Sequence, residues 1–576
     1  MKRTGTRFRP RLAHDHYDAI VIGSGISGLT TAALLAKLGK RVCVLEQHYT
    51  AGGYTHSYER EGYEWDVGVH YIGEVHKPWS MIRRVFDVIS DGNLDWAPMD
   101  AHYDRIILGD KTYDYVAGRE AFKAEIKRHF PEEAAAIDRY VDLLSEVSAK
   151  VPRFFAGQAL PRSLGVLYSK LRRYWLPDYF FKPTLEVLEG LTDNRELIGL
   201  LTAQWGDYGL PPAQAAFVMH AMVAKHYITG GNYPVGGAIR IAETIIPVIE
   251  AAGGQVFTYA GVDKIIVENG RAVGVRLQKD GVELRAPQIV SCAGLIPTYT
   301  RLIPTDVAAQ HNLLAPLQQV EPSAATLCLY AGFKGSAAEL GLPKTNYWVY
   351  PSFDHDANIS AFKNSADAPM PLIYMSFPSA KDPSWDARYP NKATVEIVAA
   401  TLPARFAQWQ GSTWGKRGAD YEALKAELTE HLLETLYQHQ PQLRGQLDFC
   451  ELATPLSTEW FQWNVQGEIY GIDHTVKRFD QHWIHSQTPI KGLYLTGADT
   501  VTAGVGGALM AGVLTASRML GWRGYRVGRL LKNWSAPSVQ NAPGTLTSAH
   551  QRLTPRSPPP QRGEARLANN RRQSAK

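Results

Sequence analysis

From Tyr17 the chain alternates between two kinds of apolar spacing. Tyr17 to Ile22 (YDAIVI) is a short β-branched run that predicts a buried parallel strand. Gly23 to Gly28 predict a tight turn. Thr30 to Lys40 (TTAALLAKLGK) repeats apolar residues at helical intervals and predicts a helix ending at Gly39. Arg41 to Leu45 (RVCVL) predicts the next strand, closed by Glu46. The same character returns far downstream. Gly237 to Ala252 predicts a helix, and strands follow near Gln255–Tyr259, Lys264–Val267, Ala272–Leu277 and Gln288–Cys292. Gly253-Gly254, Asn269-Gly270 and Asp280-Gly281 mark the turns between them. A third piece, Gly492 to Leu520, reads as a strand (LYLTG), a loop and a long helix of small residues.

These three pieces are separated by segments of mixed pattern rich in Tyr, Trp and Phe. The simplest architecture is α/β. Segments 17–75, 230–295 and 486–522 form one discontinuous Rossmann-like nucleotide-binding domain, into which 76–229 and 296–485 insert an α+β substrate domain. From Ser535 to Lys576, Pro, Ser, Asn and Arg dominate, which predicts a disordered basic tail.

Charge changes the picture only once it is located. The net +5 of the 576 residues sits at the two ends, where the first sixteen residues and the tail are both basic. The body between them is mildly acidic, so no nucleic-acid partner is expected. The basic N-terminus has no apolar stretch after it and does not read as a secretory signal, and no run is long enough to predict a spanning helix. Two stretches suit a membrane surface: Leu164–Phe181 and Met519–Trp534 interleave Lys and Arg with Trp, Tyr and Leu. The expected location is therefore cytoplasmic, with peripheral membrane association. The four cysteines lie far apart and predict neither a metal site nor a disulfide framework.

Gly23-x-Gly25-x-x-Gly28 stands between a predicted strand and a predicted helix. Gly23 permits the turn, Gly25 admits a pyrophosphate to the backbone, and Gly28 allows close helix–strand packing above the helix N-terminus. Glu46, 18 residues after Gly28, is placed to accept from ribose hydroxyls and disfavours a 2′-phosphate. That leaves FAD or NAD. Gly52-Gly53 bring a second stretch of backbone towards the phosphates, and Val262 joins the candidate cofactor positions. The distant Gly497, Asp499 and Gly506 supply a second helix N-terminus with an acid beside it. Flavin domains of the glutathione-reductase type use such a closing segment and NAD enzymes do not, which favours FAD.

The runs DAIVIGSGISGLTTAALLAKLGKRVCVLEQHYTAGGYTHSYEREGYEWDVGVHYIG, YGLPPAQAAFVMHAMVAKHYITGGNYPVGGA, IVSCAGLIPTYTRLIP and GLYLTGADTVTAGVGGALMAG resemble the carotenoid and retinoid oxidoreductase family. Phytoene desaturases, carotenoid isomerases and retinol-saturating enzymes belong to it, and the saturating branch matches best. The resemblance implies tightly held FAD, a long polyene substrate and reduction of one of its carbon–carbon double bonds. A desaturase or a cis–trans isomerase is the alternative on the same scaffold, and a flavin-bearing binding protein without turnover is the alternative of another class.

Saturating an alkene requires a hydride from reduced flavin and a proton from a nearby acid. A polyene offers no polar handle near its reacting bond, so shape is expected to orient it. His70, in DVGVHY, and Tyr227, just before Gly230-Gly231, are the expected catalytic residues. No second glycine fingerprint provides for an electron donor, so NAD(P)H is expected to visit transiently or another carrier to serve. His220 reads as a core histidine.

Overall fold

The structure is a computed structural model that describes residues 3–365 and 367–535. Apart from Ser535, the tail expected from Ser535 onward lies outside the described residues.

The centre is a six-stranded all-parallel sheet in the order Thr6–Arg7, Gln255–Thr258, Val42–Leu45, Ala19–Ile22, Ile289–Ser291 and Leu493–Leu495. Its strands are short and buried along their whole length, apart from the exposed edge pair Thr6–Arg7 and the part-exposed Gln255. Unbroken apolar runs are what burial on both faces demands. That edge strand comes from the N-terminal basic segment, which carried no strand pattern. Thr6 and Arg7 have exposed side chains and are held through the backbone, so apolar spacing gave no sign of them.

The helix Ile26–Lys37 is almost wholly buried and packs against the helices Ile239–Ala251 and Gly504–Met519. It starts four residues earlier than the apolar spacing indicated, inside the glycine motif, with Gly25 as its N-cap. The motif's glycines are part of the helix start, so a pattern based on apolar side chains misses its first turn. Gly39, at φ +83°, follows the helix end.

The second large sheet has seven strands in the order Leu447–Ala453, Ala325–Lys334, Lys392–Thr401, Ile373–Ser376, Asn346–Tyr350, His102–Leu108 and Lys111–Val116. Only the pairing of Asn346–Tyr350 with His102–Leu108 is parallel. A small antiparallel sheet, Ile72–Gly73, Gly231–Pro234 and Trp96–Pro98, stands where the segments change over. The helix Met81–Ile89 buries Val85, Phe86, Val88 and Ile89 in the same core as the parallel sheet.

Candidate active site

A cavity of about 850 Å³ runs from the glycine loop to the face of the seven-stranded sheet. It opens at the carboxyl ends of the parallel strands, where α/β sheets of this kind bind ligands. Gly23, Gly25, Glu46, Gly53, Val262, Gly497, Asp499 and Gly506 all line it, as do His70 and Tyr227. Gly28 and Gly52 stand behind the wall.

The glycines have distinct physical reasons. A Cβ on Gly28 would lie 2.3 Å from the Gly23 carbonyl oxygen, so helix and turn touch only because Gly28 has no side chain. A Cβ on Gly25 would meet only Cys292 Sγ at 3.6 Å, which leaves its cavity side free for a ligand. Gly53, at φ +55°, presses against Gly25, where a Cβ would come within 2.8 Å of Gly25 Cα. The Gly52 N–H donates to Ser24 Oγ at 3.0 Å. Glu46 in turn accepts from the Ser24 N–H at 2.9 Å, from Ser24 Oγ at 2.6 Å and from the His48 N–H at 2.8 Å. One carboxylate thus ties the turn to the loop after the next strand.

Two helices begin on the cavity without a side-chain cap: Ile26–Lys37 after Gly25, and Gly504–Met519 after Ala503. Their unpaired N–H groups and positive dipole ends suit a pyrophosphate and an electron-rich ring edge. A glycine cradle, an acid just after the strand Val42–Leu45 and two open helix starts on one cavity fit FAD. Asp499 lines the cavity and also braces its walls. Its Oδ2 accepts from the Leu295 N–H at 2.6 Å and its Oδ1 from the Ile472 N–H at 2.9 Å, bracing two loops beside the cavity.

His70 comes from the loop after the hairpin Ser57–Arg60/Tyr63–Asp66 and is set against the second sheet. Its Nδ1 lies 2.8 Å from Glu396 Oε2, and Glu396 is completely buried. Burial, aided by the Lys381 ammonium, drives the His70 imidazole down to about 3. Burial also pushes the Glu396 carboxyl up to about 8, against the opposing pull of the Asp66 N–H and Lys381. Both shifts favour a neutral imidazole and a protonated carboxyl. The shared hydrogen bond then runs from Glu396 to Nδ1, leaving the His70 proton on Nε2.

Lys381 donates to the His70 carbonyl at 3.0 Å, to Ser376 Oγ at 2.7 Å and to Asn346 Oδ1. Burial lowers its ammonium to about 7. Asp66 accepts from Ser57 Oγ at 2.6 Å, the Ala238 N–H at 2.9 Å and the Tyr233 hydroxyl, and burial, reinforced by Glu396, raises it to about 7. These acids and this lysine escaped sequence reasoning, although Glu396 left one trace: a lone acid in the apolar strand TVEIVAA.

Tyr227 stacks on Tyr71 with ring centroids 4.1 Å apart, and its hydroxyl points back to the Tyr71 carbonyl at 3.4 Å. Burial holds its phenol well above the ordinary range. His226 Nε2 accepts from the Gly73 N–H at 2.8 Å, which fixes the small sheet beside the cavity. His220 lies in the core between the Tyr140 and Tyr208 hydroxyls.

Residues 21–87 match the model of an NAD(P)-binding Rossmann-like domain. All-trans-retinol 13,14-reductase of Danio rerio is 36% identical over 523 residues, 87% of this chain and 86% of that protein. An inactive all-trans-retinol 13,14-reductase of the same fish is 31% identical, over 88% and 86%. Prolycopene isomerase of Arabidopsis thaliana is 26% identical, over 87% and 82%. Among solved structures, putrescine oxidase bound to putrescine superposes with a TM-score of 0.57 at 15% identity, over 88% of this chain and 99% of that one, a likeness of fold. By its identity to the fish reductase over most of both proteins, the chain belongs to the all-trans-retinol 13,14-reductase family, within the carotenoid and retinoid oxidoreductases.

Proposed function

We propose that the chain binds FAD non-covalently and reduces a carbon–carbon double bond of a retinoid-like polyene. The observation that carries this reading is a single cavity joining the glycine cradle to an aromatic wall, with His70, backed by the buried Glu396, lining it. Gly23, Gly25, Gly53 and the N-terminus of Ile26–Lys37 hold the pyrophosphate, and Glu46 takes the ribose. Gly497 and the start of Gly504–Met519 meet the flavin end. FAD held there would, once reduced, supply the hydride for one alkene carbon.

The protein supplies the rest. The stacked Tyr71–Tyr227 pair is a flat apolar wall for a conjugated chain and keeps water from the reacting bond. His70 delivers the proton to the second carbon from Nε2 while Nδ1 takes one from Glu396, so no imidazolium accumulates. Lys381 and Asp66 hold this pair in place. Tyr227, with its hydroxyl turned to the backbone, is a wall residue in this scheme. NAD(P)H would serve as the transient electron donor, and the protein collects its substrate from a membrane surface.

Anaerobic mixing of the FAD-loaded, pre-reduced protein with all-trans-retinol tests the proposal. Stoichiometric reoxidation of the flavin with formation of a dihydro product is expected. Isomerisation without reoxidation supports an isomerase like the Arabidopsis relative, and bleaching of oxidised flavin by substrate supports a desaturase. A yellow protein inert in both states would be a binding protein, and the reductase reading would fall.

A further inference from the structure

One wall of the cavity carries polar groups without protein partners. Asp207, at the end of the turn Ala203–Asp207, lines the cavity with Trp348 and Tyr374. Asp207 Oδ2, Trp348 Nε1 and the Tyr374 hydroxyl have no hydrogen-bond partner, although the two aromatic side chains are only 2% and 4% exposed. The Tyr71 hydroxyl eases the Asp207 carboxyl downwards, the Trp348 N–H does so for Asp104 and Ser376 for the Tyr374 phenol, but none of these contacts gives Asp207 Oδ2, Trp348 Nε1 or the Tyr374 hydroxyl a partner in hydrogen-bond geometry. Buried polar atoms left unpaired cost about 1–3 kcal/mol each, so three together call for a ligand atom.

Neighbouring Asp104 shows what a satisfied acid looks like here. It accepts from the Tyr71 hydroxyl at 3.0 Å, from Gln204 at 2.8 Å and from Asn346 at 2.9 Å. Three groups hold Asp104, whereas Asp207 Oδ2 has no hydrogen-bond partner. Burial and the nearby Asp104 raise Asp207 well above the usual carboxylate range, against the pull of the Tyr71 hydroxyl, which favours the protonated form that can both donate and accept. Trp348 can only donate, while Tyr374 can do both. That set matches a neutral hydroxyl. The surroundings include Met219, Met222 and Leu372, which suit an apolar chain leading up to that hydroxyl.

We propose that Asp207, with Trp348 and Tyr374, is a subsite for the terminal hydroxyl of a polyene alcohol, and that this anchor selects which double bond is reduced. The proposal rests on the reductase reading. It also corrects the expectation that the reacting bond has no polar handle. In a retinol reduced at its 13,14 bond, the carbon bearing the hydroxyl is attached directly to C14. An oxygen held at one point therefore fixes which segment of a repetitive conjugated chain lies at the reacting position, which shape alone does poorly.

The test uses the FAD-loaded protein with two probes, all-trans-retinol and the hydrocarbon of the same skeleton lacking the hydroxyl. Binding is read by quenching of tryptophan fluorescence, independently of turnover. Wild type is expected to bind the alcohol about tenfold or more tighter. Asp207→Leu should bring that ratio near one by weakening the alcohol alone, and should spread reduction over other double bonds. If Asp207→Leu does not retain FAD, Tyr374→Phe decides, with an expected severalfold loss confined to the alcohol. Equal binding of the two probes by wild type overturns the subsite, as does a variant that weakens both alike. A wild type that prefers the alcohol but never reduces it leaves the subsite standing and overturns the reductase reading.

Discussion

At the scale of single residues, the chemistry rests on where one proton sits. His70 is held far below the range in which an imidazole charges, and Glu396 far above the ordinary carboxyl range, both chiefly by burial. If His70 is the donor, His70→Gln slows alkene reduction about 10²–10⁴-fold while FAD content is unchanged. Glu396→Gln keeps the contact to Nδ1 but removes the proton reserve, and its loss in rate should fall within the same range. Tyr227→Phe, by contrast, should keep a near-normal rate, because the hydroxyl meets only a carbonyl. In that scheme the pH dependence has a definite sign: the protonated form of Glu396 is the competent one, and burial pushes its carboxyl up to about 8. Single-turnover rates are expected to fall as pH rises through about 8, with Lys381 and Asp66, which hold the pair, titrating near 7 on the way. A profile that instead rises across the same range would remove Glu396 from proton delivery.

At the scale of elements, the two helix starts and the turn between strand and helix are expected to decide cofactor binding. Gly25→Ala has room in the protein itself, so it should fold with a near-normal Tm and fail to retain FAD. Gly28→Ala drives a Cβ against the Gly23 carbonyl and should lose about 1–3 kcal/mol of stability together with the cofactor. Thermal unfolding and the absorbance of bound flavin separate the two. Glu46→Ala should weaken FAD by about 1.5–3 kcal/mol, the range for a lost charge-assisted hydrogen bond. Its ties to Ser24 and His48 mean that part of the loss reflects a loosened turn, which Glu46→Gln tells apart by keeping one acceptor. The strand–turn–helix–strand unit was legible because its signals are local: β-branched runs, glycines at fixed spacing and an acid at the next strand end. His70 was legible as a position for the same reason. Its partner was not, because Glu396 lies 326 residues away and reaches it only through the pairing of the second sheet. Asp207 and Lys381 sit in loops and short turns whose neighbours are set entirely by tertiary packing, and nothing near them in sequence marks them.

At the scale of the whole molecule, the question is how a water-insoluble substrate enters. No helix of the described residues is long and apolar enough to cross a membrane. The cavity lining includes Met81 and Ile82 from one helix start, Val151 and Phe155 from the long helix Ala134–Phe155, and Met510 and Leu514 from the helix Gly504–Met519. Exposed apolar side chains belong to these elements or the segments packed on them: Trp79 at 71%, Met81 at 50%, Trp522 at 79% and Tyr525 at 62%. The helix Tyr525–Asn533 packs on Met81–Ile89 and buries Val527 and Leu531, which leaves Arg523, Arg526, Arg529 and Lys532 outward. Leu164, Leu167, Tyr174 and Trp175 add a second exposed apolar group, beside Lys170 and Arg173. Arg172 does not belong to it: the guanidinium is buried and donates to the Phe154 and Phe479 carbonyls. Aromatic side chains projecting next to outward Arg and Lys suit the headgroup layer of an anionic bilayer, each basic residue contributing about 1 kcal/mol. The protein is therefore expected to sediment with phosphatidylserine-containing liposomes at low salt and to be partly released at high salt. Trp79→Ser with Trp522→Ser should weaken that sedimentation and slow reduction of retinol delivered in liposomes, while reduction of retinol delivered in detergent stays unchanged. Equal loss in both deliveries would mean that the two tryptophans act on the cavity itself, and undiminished sedimentation would move the docking surface elsewhere.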